Sequence, residues 1–114
     1  MASYIISEEA LKDIDNIWLY TAENWSIEQA DRYFNLIFDE IEYISENFEV
    51  GRDIGRIRKD YRFSKVKSHL IFYKKSQSGK IEIIRILQQE EGGGRNTNYE
   101  IAEIGNLACT QQLR

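Results

Sequence analysis

His69 is the single histidine and Cys109 the single cysteine in the 114 residues. Nucleophilic catalysis needs a base held beside its nucleophile, and no Ser/Asp pattern surrounds His69. It stands at the head of a β-prone run, which favours a structural or turn role over a general base. Cys109 lies in a stretch without the context of a catalytic cysteine. Forty residues separate the two, so they cannot build a His/Cys metal cage. The chemistry left over belongs to side chains that handle phosphate. Arg62, Lys65, Lys67, Tyr73 and Arg85 are spread over three β-prone runs. Such a set could cradle phosphate and stabilise developing charge in a metal-independent ribonuclease. Gly51 and Gly55 lack the pattern of a phosphate loop and read as backbone turns.

Arg85 is the most informative of these residues. In Ile81–Leu87, strand alternation sets it on the face of Ile81, Ile83 and Leu87. A guanidinium on an apolar face needs a partner or must reach the rim. Asp13 or Asp15 could supply an ion pair; otherwise Arg85 offers its charge to an anion or partner at the open end of a sheet.

The elements that must position these groups follow from periodicity. Tyr4-Ile5-Ile6 reads as a short strand. Ser7 fits a helix N-cap, with Glu8 and Glu9 in the first turn where the helix dipole favours them. Ala10, Leu11, Ile14, Ile17, Trp18 and Thr21 mark one face of a helix over about 8–24. Ser26 and Gln29 form a capping-box pattern that opens a second helix. Its stripe is Ala30, Phe34, Ile37, Ile41, Ile44 and Phe48. The short connection predicts an antiparallel helical hairpin. Trp18, Tyr20, Tyr33, Phe38 and Tyr43 on these helices are expected in the core rather than at a ligand. Three strands follow over 61–67, 69–75 and 81–87, the last apolar on both faces and so interior. Ser76–Lys80 is a hairpin loop. The expected fold is α+β in the order β-α-α-β-β-β: an antiparallel helical hairpin on a mainly antiparallel four-stranded sheet. From Gln89 the composition changes, opening on Glu90-Glu91-Gly92-Gly93-Gly94. Residues 1–89 read as one domain, and 90–114 as a flexible or marginally helical extension.

With 42% apolar and 30% charged residues the chain can bury a core. No apolar run approaches the roughly 18–20 residues of a membrane helix, so no membrane association is expected. The N-terminus shows no signal-peptide pattern, and a lone cysteine suits a reducing compartment. The net charge of −4 conceals a division. Residues 1–51 carry two basic and twelve acidic side chains, whereas residues 52–85 carry eleven basic and three acidic. The basic half could attract an acidic protein segment or a nucleic acid, or both halves could be solvated surfaces.

Several stretches taken in order resemble the ParE branch of the RelE/ParE toxin superfamily. They are Ala10–Tyr20, Trp25-Ser26 leading to Ala30 and Tyr33, Ile54-Gly55-Arg56, Tyr61-Arg62, Ser68–Lys74 and Ile81–Leu87. The resemblance covers about residues 3–89. It implies a bacterial toxin of a type II toxin–antitoxin system, neutralised in the cytoplasm by a ParD-like antitoxin. It further implies DNA gyrase as the target, bound without catalysis, cofactor, metal or sequence-specific nucleic-acid recognition. On this reading Arg62, Lys65, Lys67, His69, Tyr73 and Arg85 are candidates for target or partner binding.

Two other readings stand beside it. A RelE-like ribosome-dependent messenger-RNA nuclease would carry basic residues on the middle strand and after the last one. Here Leu70 and Ile71 occupy the middle strand, and Gln88-Gln89-Glu90-Glu91 follow the last. A relic that only sequesters antitoxin is the third reading. Gln88 stands where family members carry a histidine, and the residues after Gln89 depart from the family pattern. A frameshift, a fusion, an engineered loss of toxicity and a divergent extension would each leave such a tail, and an attenuated toxin is one outcome.

Overall fold

The computed structural model describes residues 4–88. Ser7 begins the first helix as expected: its Oγ accepts from the Ala10 backbone N–H at 3.0 Å. Helix α1 runs Glu8–Asn24 after strand β1, Tyr4–Ile6. Ser26 caps α2, Ile27–Glu46, by accepting from Gln29 N at 3.0 Å. A 3-10 turn, Phe48–Val50, leads to β2 (Arg52–Asp53), β3 (Tyr61–Val66), β4 (His69–Lys75) and β5 (Ile81–Gln88).

The sheet has five strands rather than four, in the order β1-β5-β4-β3-β2. The added strand, β2, falls in the segment read as a glycine-punctuated loop. At two residues it is too short to show a period. It pairs antiparallel with β3 through Arg52–Phe63 and Asp53–Arg62. β1 lies parallel to β5; every other pairing is antiparallel.

The helical hairpin covers one face of the sheet. Ala10, Ile14, Ile37, Ile41 and Ile44 pack there against Val66, Ile71, Tyr73, Ile81, Ile83 and Ile86. Ile54, Tyr61, Leu70, Phe72 and Ile84 form a second cluster on the other face. With both faces apolar, Leu70 to Tyr73 of the middle strand are all buried.

Two expectations need correction. Phe34 belongs to the sequence stripe of α2, yet it is 38% exposed. It lies at the outer seam of the hairpin with Trp18 and Leu19, its ring 4.7 Å from that of Phe38. Phe48 lies beyond α2, in the 3-10 turn. Among the aromatics expected inside, Tyr33 and Phe38 do pack against the core, but Tyr20 and Tyr43 are exposed. The second correction concerns β5. Phe72 faces Arg85 while Tyr73 faces Ile83, so Ile84 has no opposite residue on β4. This bulge breaks the alternation. Ile86, not Leu87, joins Ile81 and Ile83 against the helices, and Leu87 packs with Ile84 on the far side.

The cleft at the end of the helical hairpin and the fate of the candidate residues

β1 ends at Ile6 while β5 runs on to Gln88, and Ser7 and α1 serve the backbone groups of β5 there. Ser7 Oγ donates to the Ile84 carbonyl at 2.8 Å, and Ser7 N donates to the Ile83 carbonyl at 3.0 Å. Asp13 accepts from Ile86 N at 2.9 Å. The same carboxylate accepts from Arg85 Nε at 2.7 Å and Nη2 at 3.0 Å. Arg85 has thus found one of the two helix carboxylates expected for it, and Asp13 holds its protonated form above the ordinary arginine range.

Tyr73 and Arg62 meet at another junction. Tyr73 Oη donates to the Phe48 carbonyl at 2.8 Å and accepts from Gly51 N at 2.9 Å. A Cβ at Gly51 would lie 2.0 Å from that hydroxyl oxygen, so the close approach requires glycine. Arg62 donates to the Gly51 carbonyl at 2.7 Å, with Asp53 3.8 Å away and the Phe48 ring 5.1 Å from its guanidinium. Both side chains tie the 3-10 turn and β2 to the sheet. Burial raises the Tyr73 pKa, against the pull of the Gly51 hydrogen bond and the Arg62 charge.

His69 and Lys67 lie elsewhere, at the tight turn between β3 and β4. The Tyr33 hydroxyl meets both His69 Nδ1 and the Val66 carbonyl. Because the carbonyl can only accept, both hydrogen bonds are satisfied when Nδ1–H donates to Tyr33 and Tyr33 donates to Val66. That tautomer is assigned from the bonding pattern. Burial lowers the His69 pKa, and the Asp13 charge opposes this; burial raises the Tyr33 pKa. Lys67 is exposed with φ 54°, a left-handed conformation that costs a side-chain-bearing residue about 1–2 kcal/mol. Lys65 is exposed on β3, away from both junctions.

Around this turn opens a cleft of about 870 Å³ between α1, α2 and the end of β5. Asp13, Tyr33, His69 and Gln88 line it, with Arg32 and Lys67 as its cations. Trp25 and Tyr20 border it at 75% and 63% exposure. Of the six candidates, the cleft takes in His69 and Lys67, and Arg85 only through Asp13. Tyr20, Trp25, Arg32 and Tyr33 were not singled out as site residues. Tyr20, Trp25 and Tyr33 had left a signal only as members of the stretches that carry the resemblance, and Arg32 as one of two basic residues in an acidic half. Among the described residues no group of three or more His, Cys, Asp or Glu could hold a metal ion, and no helix is long and apolar enough to cross a membrane.

The family model described as ParE toxin of type II toxin–antitoxin system, parDE, matches residues 4–92. The chain belongs to the ParE toxin family. Relatives agree with the match. Toxin ParE1 of Mycobacterium tuberculosis (strain CDC 1551 / Oshkosh) is 31% identical over 93 residues, covering 82% of this chain and 95% of the relative. Toxin ParE1 of Caulobacter vibrioides is 36% identical over 89 residues, covering 78% and 91%. A solved chain of the chromosomal ParDE TA system from P. aeruginosa shares the fold with a TM-score of 0.67 at 19% identity, over 79% of this chain and 98% of that one. In this ParE toxin the stretches that carried the resemblance fall on α1, the cap and first half of α2, the segment after β2, the start of β3, β4 and β5. The reading of residues 90–114 as an extension lies outside the described residues, as does Cys109.

Proposed function

We propose that this ParE toxin works by protein binding in the bacterial cytoplasm: a ParD-like antitoxin neutralises it, and DNA gyrase is its target. The observation that carries the reading is the rim of the α1–α2–β5 cleft, where Trp25, Tyr20 and Arg32 stand together. Tryptophan, tyrosine and arginine are the residue types that dominate protein–protein binding energy. The ion pair in the cleft wall, Asp13 with Arg85, is mutually bonded and holds the sheet rather than facing a substrate. The name of the solved ParDE relative adds support for an antitoxin of ParD type. Residues 1–89 carry the binding surface in our reading, and residues 90–114 attenuate the toxin.

A gyrase supercoiling and cleavage assay with the purified chain, with and without residues 90–114, tests the target. Inhibition is expected, and stronger inhibition without the extension. Absence of inhibition by both forms overturns the gyrase reading. Ribosome-dependent cleavage of messages would replace it with the RelE-like one. Normal growth on induction, with antitoxin affinity retained, would leave only a sequestering relic.

A further inference from the structure

The helical hairpin accounts for the burial of one face of the sheet. On the other face Ile54, Tyr61, Leu70, Phe72 and Ile84, with Phe63 and Leu87 beside them, form a cluster that draws on β3 to β5 and Ile54 and on no helix. Ile54 donates its backbone N–H to the Tyr61 carbonyl at 3.0 Å, so it stands at the Tyr61 end of that face. Leu70 stands towards the other end, in one row with Lys65 and Leu87. Leu70 and Phe72 are nevertheless 1% and 0% exposed. Ile5 of β1 points to the same side, because its neighbours Tyr4 and Ile6 pack with the helices, and it is 44% exposed. A sheet face without a second layer leaves its side chains in water, as at Ile5. The described elements thus account for the burial of Tyr61 but not for that of Leu70 and Phe72.

Exit point, length and charge name the occupant. β5 ends at Gln88, opposite His69, with Leu87 opposite Leu70, so the chain leaves the sheet at the Leu70 end of this face. The ten residues from Gln89 to Asn98 reach at most about 33–36 Å, whereas adjacent strands are only about 5 Å apart. They include Gly92-Gly93-Gly94, whose lack of side chains permits a sharp reversal. Residues 99–108 then bring Tyr99, Ile101, Ile104 and Leu107 together with Glu100 and Glu103 and no cation. Eleven of the twelve acidic residues in the first half lie on α1 and α2, so like charge disfavours the helical side for this stretch. On the far face Lys65 is exposed beside Leu70, with no ion pair among the described residues.

We infer that residues 99–108 of the chain's own C-terminal extension dock on the far face of the sheet, over Leu70, Phe72 and Ile84. The inference rests on the reading of residues 90–114 as an attenuating extension and gives that attenuation a seat. A partner that needs this face must first displace the tail.

A nitroxide spin label on Cys109, the single cysteine, makes the unsubstituted full chain its own reporter. In methyl NMR spectra the signals of Leu70, Ile84 and Leu87 should lose most of their intensity, while those of Leu11 and Leu19 on α1 keep theirs. Losses spread evenly over both sides of the molecule, or none, overturn the inference. So does an equal loss when the spin label and the isotope are on different chains, which makes the face a contact between copies. Without the label, Ile101→Ser/Ile104→Ser/Leu107→Ser in the full chain should shift the methyl signals of Leu70, Ile84 and Leu87 and leave Leu11 and Leu19 in place. Unmoved signals at Leu70, Ile84 and Leu87 overturn the inference as well. The spin-label arm needs no substitution, so it decides whether or not the triple variant folds. Gyrase inhibition with and without residues 90–114 tests attenuation separately. A seated tail that does not attenuate removes that reading and leaves the seat, and an attenuating tail with no seat does the reverse.

Discussion

The Asp13 carboxylate joins α1 to β5 through three hydrogen bonds, two from the Arg85 guanidinium and one from the Ile86 backbone N–H. The Asp13 and Arg85 side chains are 12% and 19% exposed, so the pair is largely withdrawn from water. Removing one partner strands the other charge, which in buried pairs costs about 3–5 kcal/mol. Asp13→Ala should fall in that range, because it orphans both Arg85 and the Ile86 N–H. Arg85→Leu should cost less, since Asp13 keeps the Ile86 hydrogen bond. Urea unfolding of both single variants and the double variant checks this. Additive losses would show that the two residues are not coupled.

The corrected α2 stripe separates residues that look alike in sequence. Ile37 and Ile41 are fully buried, so truncation to alanine should cost about 2–5 kcal/mol. Phe34→Ala should cost clearly less, because Phe34 is already 38% exposed. Equal losses at all three positions would put Phe34 back in the core.

Tyr73→Phe keeps the ring and removes one hydroxyl that serves two backbone groups. It leaves Gly51 N–H without its partner, at about 1–3 kcal/mol. Gly51→Ala attacks the same junction from the other side. Both should destabilise in thermal melts, and each should loosen β2 more than β4 in amide hydrogen exchange. Uniform loss of protection would mean that the junction is not a local one.

Burial depresses the His69 pKa, so the unfolded chain takes up this proton more readily than the folded one. The resulting stabilisation is fully present above the unfolded value near 6.5 and is lost as pH falls below it, until the folded value is reached. His69→Gln should flatten that part of the stability–pH curve. An unchanged slope below about pH 6.5 would assign it to the carboxylates.

Trp25 and Lys67 should matter for binding far more than for folding. Trp25→Ala should change stability by no more than about 0.5 kcal/mol, as surface substitutions do, yet weaken antitoxin binding at least about tenfold. Lys67→Gly relieves a left-handed φ of 54° and should leave stability unchanged or raise it by up to about 1 kcal/mol. Calorimetric titration with a ParD-like antitoxin, paired with melting curves, separates the two effects. Parallel losses of stability and affinity would make both residues structural.

Much of the framework was legible because each element carried its own local signal. Ser7 and Ser26 announced the helix starts, and Ala10 to Thr21 carried a helical period. The order of strands β3 to β5 could be read from alternation and the Ser76–Lys80 loop. What escaped depends on neighbours distant in sequence. β2 is recognisable only through Phe63 and Arg62 on β3. The bulge at Ile84 arises from the register of β4 against β5 and carries no turn residue of its own. The candidate cations were visible as charges, but nothing local told that Arg62 would brace Gly51 while Lys67 faces a cleft. Tyr33 looked like any core aromatic until the turn that brings His69 beside it was in place.

Strand β1 pairs with β5, joining Tyr4 to Ile81 and Ile6 to Ile83. During translation, the first strand to leave the ribosome must wait for the last one described. Until β5 is made, β1 has no partner strand and Asp13 has no Arg85 to grip. The wall of the α1–α2–β5 cleft therefore cannot be complete before β5 has joined the sheet.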